Sequence, residues 1–310
     1  MMAMNSRLCQ NVLAYSASCH AHNKLCLHRR LARLIHASSL QREAVKLSYN
    51  VYHGNPTDRP VIILHGLLGS GKNFDGIAKQ LVRLTGRKVV TVDARNHGDS
   101  EHSDKMGFED MALDIVKMLS EIKAKSCTPI GHSLGGRTSM TLALMEPELV
   151  DKLAVIDVSP VHLSRNMEVL TFLLGMQNTK MPEGVNIVEA RRYVGEQLRS
   201  SIPDDNIRDF MLTNLVQRNG EMMWRVNIDA MLKYFRELGR IPEDKPPFTR
   251  GPALFIGGSL SDYITEKDHP NIYKYFPKAE IKMIEGASHW VHYDKPQELV
   301  RLLAQFISGH

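Results

Sequence analysis

Ile130-Gly131-His132-Ser133-Leu134-Gly135-Gly136 carries the pattern G-x-S-x-G where an apolar run gives way to an amphipathic stretch. That context makes the motif informative, because the pattern needs a strand before the serine and a helix after it. A serine on such a turn is held in strained backbone, at a cost of about 1–3 kcal/mol. Its flanking glycines remove side chains that would collide with neighbouring backbone. The Oγ is then exposed, and the helix N-terminus offers an N–H, that of Leu134, to a developing oxyanion. Ser133 is therefore read as a nucleophile.

A nucleophilic serine needs a base. His289, in Gly286-Ala287-Ser288-His289, follows the last strand-like run and should reach the same sheet edge; His292 is the alternative. A second oxyanion donor is expected from the loop after Val61–Leu64, where His65-Gly66-Leu67 offers the N–H of Leu67. His65 itself reads as an anchor for that loop. Three carboxylates compete to orient the histidine: Asp157 and Asp262, each after a strand run, and Asp229, in Trp224-Arg225-Val226-Asn227-Ile228-Asp229. The two strand-end residues are the better placed.

Working outward, short β-branched runs precede longer amphipathic stretches from residue 45 onward. The runs are Val61–Leu64, Val89–Val92, one closing at Ile130, Leu153–Val158, Ala253–Ile256 and Ile281–Ile284. Apolar runs this short and continuous belong to strands buried on both faces, as in a parallel sheet. Helices are expected at about 110–122, 134–146 and 296–308. The pattern predicts a doubly wound α/β domain over 43–310. Residues 161–245 break the alternation and read as a helical insertion covering the strand ends. The Met and Leu of that insertion suit either an acyl chain or packing against the sheet.

A rival reading begins at Gly66. Gly66-Leu67-Leu68-Gly69-Ser70-Gly71-Lys72-Asn73 is one residue from the phosphate loop G-x-x-x-x-G-K-[ST], and Val89-Val90-Thr91-Val92-Asp93 resembles its partner strand. Asn73, however, stands where a hydroxyl should ligate Mg²⁺. The same loop also has a required position in the serine reading.

The whole chain has a net charge of +5 and a sequence pI of about 8.9, which invites a nucleic-acid partner. The charge is not evenly spread. Residues 1–42 hold no Asp or Glu but contain Arg7, Lys24, Arg29, Arg30, Arg33 and Arg42. Leu27, Leu31, Leu34 and Ile35 fall on one helical face, with Arg29, Arg30 and Arg33 opposite. A basic, acid-free amphipathic segment predicts a mitochondrial transit peptide, and no apolar block suits a secretory signal. Without it, Lys and Arg number 33 against 34 acidic residues. That near-neutral remainder is not built for phosphate backbones. Only Cys127 of the four cysteines lies beyond the segment, which fits a reducing compartment without disulfides. No apolar run approaches the length of a membrane span.

Together, His65-Gly66, Asp93-Ala94-Arg95-Asn96-His97-Gly98-Asp99-Ser100, Gly131-His132-Ser133-Leu134-Gly135-Gly136 and Gly286-Ala287-Ser288-His289 resemble the α/β-hydrolase superfamily. Asn96, Val155 to Pro160, Thr213-Asn214-Leu215 and Trp224-Arg225-Val226-Asn227 narrow the resemblance to mitochondrial serine hydrolases with bacterial esterase relatives. It runs from about 45 to 308. The resemblance implies a mostly parallel sheet with helices on both faces and a helical cap. It implies a cofactor-independent hydrolase of carboxylic esters in the mitochondrial matrix, with acylglycerols such as diacylglycerol as substrates. It further implies association with the 2-oxoglutarate dehydrogenase complex. It assigns the charge-relay acid to the position of Asp229 in the subfamily. In the esterase relatives the position of Asp157 fits, with a serine matching Ser261 nearby, and the position of Asp262 is not generally acidic. Asp157 and Asp229 both stand. A hydrolase fold used only to bind a partner is the non-catalytic alternative.

Overall fold

The computed structural model describes residues 44–161, 166–235 and 241–309. The expected transit segment 1–42 lies outside them.

The strands are β1 (Tyr49–Tyr52), β2 (Val61–Leu64), β3 (Val89–Val92), β4 (Thr128–His132), β5 (Leu153–Ile156), β6 (Leu215–Arg218), β7 (Glu221–Trp224), β8 (Ala253–Gly258) and β9 (Ala279–Ile284). Seven of them form one sheet in the order β1-β3-β2-β4-β5-β8-β9. Only β1 runs antiparallel, at one edge against β3. The helices are α1 (Asp75–Thr85), α2 (Phe108–Glu121), α3 (Leu134–Met145), α4 (Asn166–Gln177), α5 (Ile187–Leu198), α6 (Asp205–Leu212), α7 (Ile228–Tyr234), α8 (His269–Tyr275), α9 (Val291–Asp294) and α10 (Pro296–Ser308).

Alternation within a single run explains why β2 and β5 are apolar throughout. Ile62 and Leu64 of β2, with Leu153 and Val155 of β5, enter one core beside Ile115 of α2 and Leu142 of α3. Val61, Ile63, Ala154 and Ile156 enter the opposite core, beside Leu81 of α1 and Leu303 of α10. A residue and its neighbour thus meet different helical layers, so every position of these two strands faces apolar packing.

Sequence periodicity did not anticipate β1, whose half-buried residues sit at the edge. The insertion also departs from the all-helical expectation. Between α6 and α7 it forms the antiparallel hairpin β6–β7. The turn explains this: Asn219 and Gly220 have φ of 53° and 87°, the left-handed pair that an Asn-Gly hairpin requires. The cap has its own core, in which Leu173, Met176, Val194, Leu215 and Met231 are buried and to which Leu68 and Leu134 of the body contribute. Some of the insertion's Met and Leu therefore serve packing.

Candidate active site

The site forms where β2, β4, β5 and β8 end. Ser133, between β4 and α3, has φ 50° and ψ −112°, a left-handed conformation for a residue with a Cβ. Two glycines make the turn possible. A Cβ on Gly131 would lie 2.1 Å from the Gly135 carbonyl oxygen, and one on Gly135 would lie 2.3 Å from that of Leu64. Backbone atoms sit at both points, so no rotamer change could relieve the clash. The Ser133 N–H donates to the Ile156 carbonyl at 3.0 Å, joining the turn to the end of β5.

Ser133, His289 and Asp157 form one hydrogen-bonded chain. Nε2 of His289 lies 3.1 Å from Oγ of Ser133. Nδ1 of His289 lies 2.8 Å from Oδ2 of Asp157. The carboxylate is fully buried, and its charge is met by donors: Gly258 N–H reaches Oδ1 at 2.9 Å and the Ser261 hydroxyl reaches Oδ2 at 2.5 Å. Asp157 is itself left-handed, with φ 49°. The Tyr263 ring stacks on the His289 imidazole, with centroids 3.9 Å apart and planes 19° apart. In this arrangement the imidazole can accept the serine proton, and the buried carboxylate can stabilise the imidazolium that results.

The other candidates do not join this hydrogen-bonded chain. Asp229 is on the exposed side of α7, and its carboxylate accepts from Gln177 at 2.7 Å. Asp262 is exposed on the loop after β8. His292 stacks on Phe74 at 4.6 Å, and burial pushes its pKa down to about 4, so it is neutral. Ser261 entered the sequence reading only through the family resemblance, and Tyr263 was not singled out at all. Their proximity to the histidine depends on the path of the loop after β8, and no local pattern encodes that path.

The loop after β2 is held by histidines. His65 donates from Nδ1 to the Gly66 carbonyl at 2.7 Å, and its Nε2 accepts the Ala94 N–H at 3.0 Å. His97 accepts the Leu68 N–H on Nε2 at 3.1 Å. Burial drives the pKa of both imidazoles down, that of His97 to about 3, so they remain neutral and able to accept. His65 thus sits as the anchor its position suggested. The neighbouring amides of Leu68, Gly69, Ser70, Gly71 and Gly135 are all engaged within the protein. Among the described residues, the amides of Leu67 and Leu134 are not, and both residues border the cleft beside Ser133.

Those engaged amides also dispose of the phosphate-loop reading. Gly71 N–H donates to Asp93, Ser70 N–H to Asn73 and Gly69 N–H to the Gly66 carbonyl, so this loop has no row of free amides to cradle a phosphate. Lys72 points into solvent.

The cleft encloses about 1190 Å³, including its open mouth. Leu67, Leu134, Phe172, Phe210 and Met211 contribute its apolar wall, and Ser133 and His289 lie on its floor. The insertion therefore also lines the cleft. Among the described residues, no group of three or more His, Cys, Asp or Glu is arranged to hold a metal ion. None of the described helices is long and apolar enough to cross a membrane.

Comparison with known proteins agrees with this architecture. A family model described as alpha/beta hydrolase fold matches residues 59–296. The chain is 41% identical over 296 residues to the sn-1-specific diacylglycerol lipase ABHD11 of Xenopus tropicalis, covering 95% of this chain and 91% of that protein. It is 30% identical over 251 residues to Esterase YbfF of Escherichia coli (strain K12), covering 80% and 93%. Among solved structures, a marine microorganism esterase superposes with a TM-score of 0.77 at 34% identity, covering 85% of this chain and 100% of that one.

Proposed function

The chain belongs to the alpha/beta hydrolase fold family and is a carboxylic ester hydrolase, and from that premise we propose that it cleaves acylglycerols of the diacylglycerol type by a Ser-His-Asp acyl-enzyme mechanism. One observation carries this reading: the continuous chain from Asp157 through His289 to Ser133, opening on an apolar cleft. As Ser133 Oγ attacks the ester carbonyl, its proton passes to Nε2 of His289. The oxyanion accepts from the N–H groups of Leu67 and Leu134. Collapse of the tetrahedral intermediate breaks the ester C–O bond, and the imidazolium returns its proton to the leaving alcohol. Water then repeats the cycle on the acyl-serine and releases the acid. Every step is a proton transfer or acyl transfer between these groups and needs no cofactor. Asp157 is the acid of this scheme.

An apolar cleft and relatives named as diacylglycerol lipases support a lipid ester as substrate. A fluorophosphonate probe should label the wild type and spare Ser133→Ala. A correctly folded wild type that takes no label would remove Ser133 as nucleophile. Release of the fatty acid from the sn-1 position of a labelled diacylglycerol tests the substrate class.

The acid-free basic segment 1–42 supports import into mitochondria and action in the matrix. There the protein would associate with the 2-oxoglutarate dehydrogenase complex. A fluorescent protein fused behind residues 1–42 should enter mitochondria, and cytosolic fluorescence would argue against the assignment. Co-sedimentation of the matrix protein with the intact dehydrogenase complex tests the partner.

A further inference from the structure

Three consecutive peptide groups of the loop after β2 are each tied down, and the third tie comes from the cap. The carbonyl of the Gly66–Leu67 peptide accepts from His65 Nδ1 at 2.7 Å and from Gly69 N–H at 3.0 Å. In a trans peptide the N–H points opposite the carbonyl, so this anchoring aims the Leu67 amide the other way. The Leu67–Leu68 peptide donates its N–H to His97 at 3.1 Å. The Leu68–Gly69 peptide accepts, on the Leu68 carbonyl, from Nδ2 of Asn214 at 2.8 Å. Leu68 between the last two is left-handed, with φ 60°, an uncommon and strained conformation for a residue with a Cβ.

Asn214 belongs to the insertion, between α6 and the hairpin, and is 1% exposed. Its own carbonyl accepts the Arg225 N–H at 2.8 Å, closing the base of the hairpin. Two further bonds dock that base on the body. Asn227 N–H donates to the Asn96 carbonyl at 3.0 Å, and His102 Nε2 lies 3.0 Å from the Arg225 carbonyl. The hairpin side of the cap is thus fastened to the loops that shape the site.

We infer that Asn214 is a positioning residue through which the docked cap hairpin holds Leu68 in its left-handed conformation and so keeps the Leu67 amide directed at the oxyanion. This rests on the acyl-enzyme reading of Ser133. It means that the hairpin side of the cap cannot lift during turnover without dismantling an oxyanion donor, so substrate must enter past another part of the cap.

The test compares Asn214→Ala and the isosteric Asn214→Asp with wild type, on a soluble ester and on a trifluoromethyl ketone that forms a tetrahedral adduct with serine. Gln197→Ala removes an exposed contact between α5 and the backbone of Lys180 in the preceding loop, away from the cleft, and serves as the control. We expect kcat to fall about 10- to 100-fold in both Asn214 variants, with KM within about threefold. Ketone affinity should fall by the same factor as kcat/KM, because only the tetrahedral species uses the donor. Gln197→Ala should retain wild-type values. If Asn214→Ala does not fold, Asn214→Asp carries the test. A folded variant with wild-type kcat and ketone affinity, or one changed only in KM, overturns the inference. Wild-type protein that takes no fluorophosphonate label would instead sink the underlying serine reading, a result visible before any Asn214 variant is made.

Discussion

Nδ1 of His289 lies 2.8 Å from Oδ2 of Asp157, while the carboxylate of Asp229, the other candidate acid, is bonded to Gln177 at 2.7 Å. The two aspartates should therefore behave differently. Asp157→Asn removes the charge that stabilises the imidazolium and presents an amide where an acceptor is needed. We expect kcat to fall by about 10³–10⁴ on a soluble ester. Asp229→Asn should stay within about threefold of wild type. Steady-state kinetics of the pair decides, and the reverse pattern would transfer the role to Asp229.

The nucleophile turn should be intolerant of any side chain at Gly135. A Cβ there would sit 2.3 Å from the Leu64 carbonyl oxygen and 2.6 Å from its carbon, atoms fixed in the central strand. Gly135→Ala should cost more than about 3 kcal/mol, lowering Tm by about 10 °C or preventing accumulation of folded protein. Gly76→Ala is the matched comparison. Gly76 lies in the first turn of α1 with nothing near its virtual Cβ, and alanine there should be neutral or slightly stabilising. Thermal denaturation of the two variants checks the contrast.

The buried histidines should make the fold acid-labile. Burial lowers the pKa of His65 and His132, and takes those of His97 and His292 from 6.5 to about 3 and about 4. Below pH 6.5 the unfolded chain takes up protons that the folded imidazoles refuse. Their contribution is thus complete above pH 6.5 and falls as pH drops towards the folded values. Each fully linked group costs up to about 1.4 kcal/mol per pH unit in that window. Several together can exhaust the 5–15 kcal/mol of a typical domain. Urea unfolding should show a steep loss of stability between pH 6.5 and 4. His292→Phe, which keeps a ring against Phe74, should make that slope shallower.

Lys72 should be dispensable. It is exposed, and the loop that precedes it spends the amides of Leu68, Gly69, Ser70 and Gly71 internally. Lys72→Ala should keep wild-type esterase activity, and calorimetry should detect no ATP binding to either protein. Saturable ATP binding lost on this substitution would restore the phosphate-loop reading.

The legible parts of the fold were those written in local pattern. Val61–Leu64 and Val89–Val92 are strands as their apolar runs required, and α10 spans Pro296–Ser308 where an amphipathic stretch was expected. These segments are buried on both faces or on one clear stripe, so burial leaves a mark in each residue. The edge strand β1 is half-buried and leaves little such mark. The cap hairpin was hidden among helix-like residues, although Asn219-Gly220 signalled its turn. Within the site, the elbow was legible because Gly131 and Gly135 are dictated by backbone crowding. The carboxylate beside His289 was only narrowed, to 157 and 262 by position and to 157 and 229 by resemblance, because aspartates are chemically alike until the chain path brings one of them to the histidine.

From sequence alone, then, came the α/β class, the strained serine turn and the separation of a basic segment from a near-neutral body, all consequences of short-range periodicity, sterics and charge. Tertiary structure decided what depends on residues distant in the chain. Asp157 and His289 meet across 132 positions, and Asn214 and Leu68 across 146. Each of these contacts is set by where whole strands and the cap come to rest. Hydrogen bonds act over about 3 Å, and no one-dimensional pattern specifies a distance of that scale between segments so far apart.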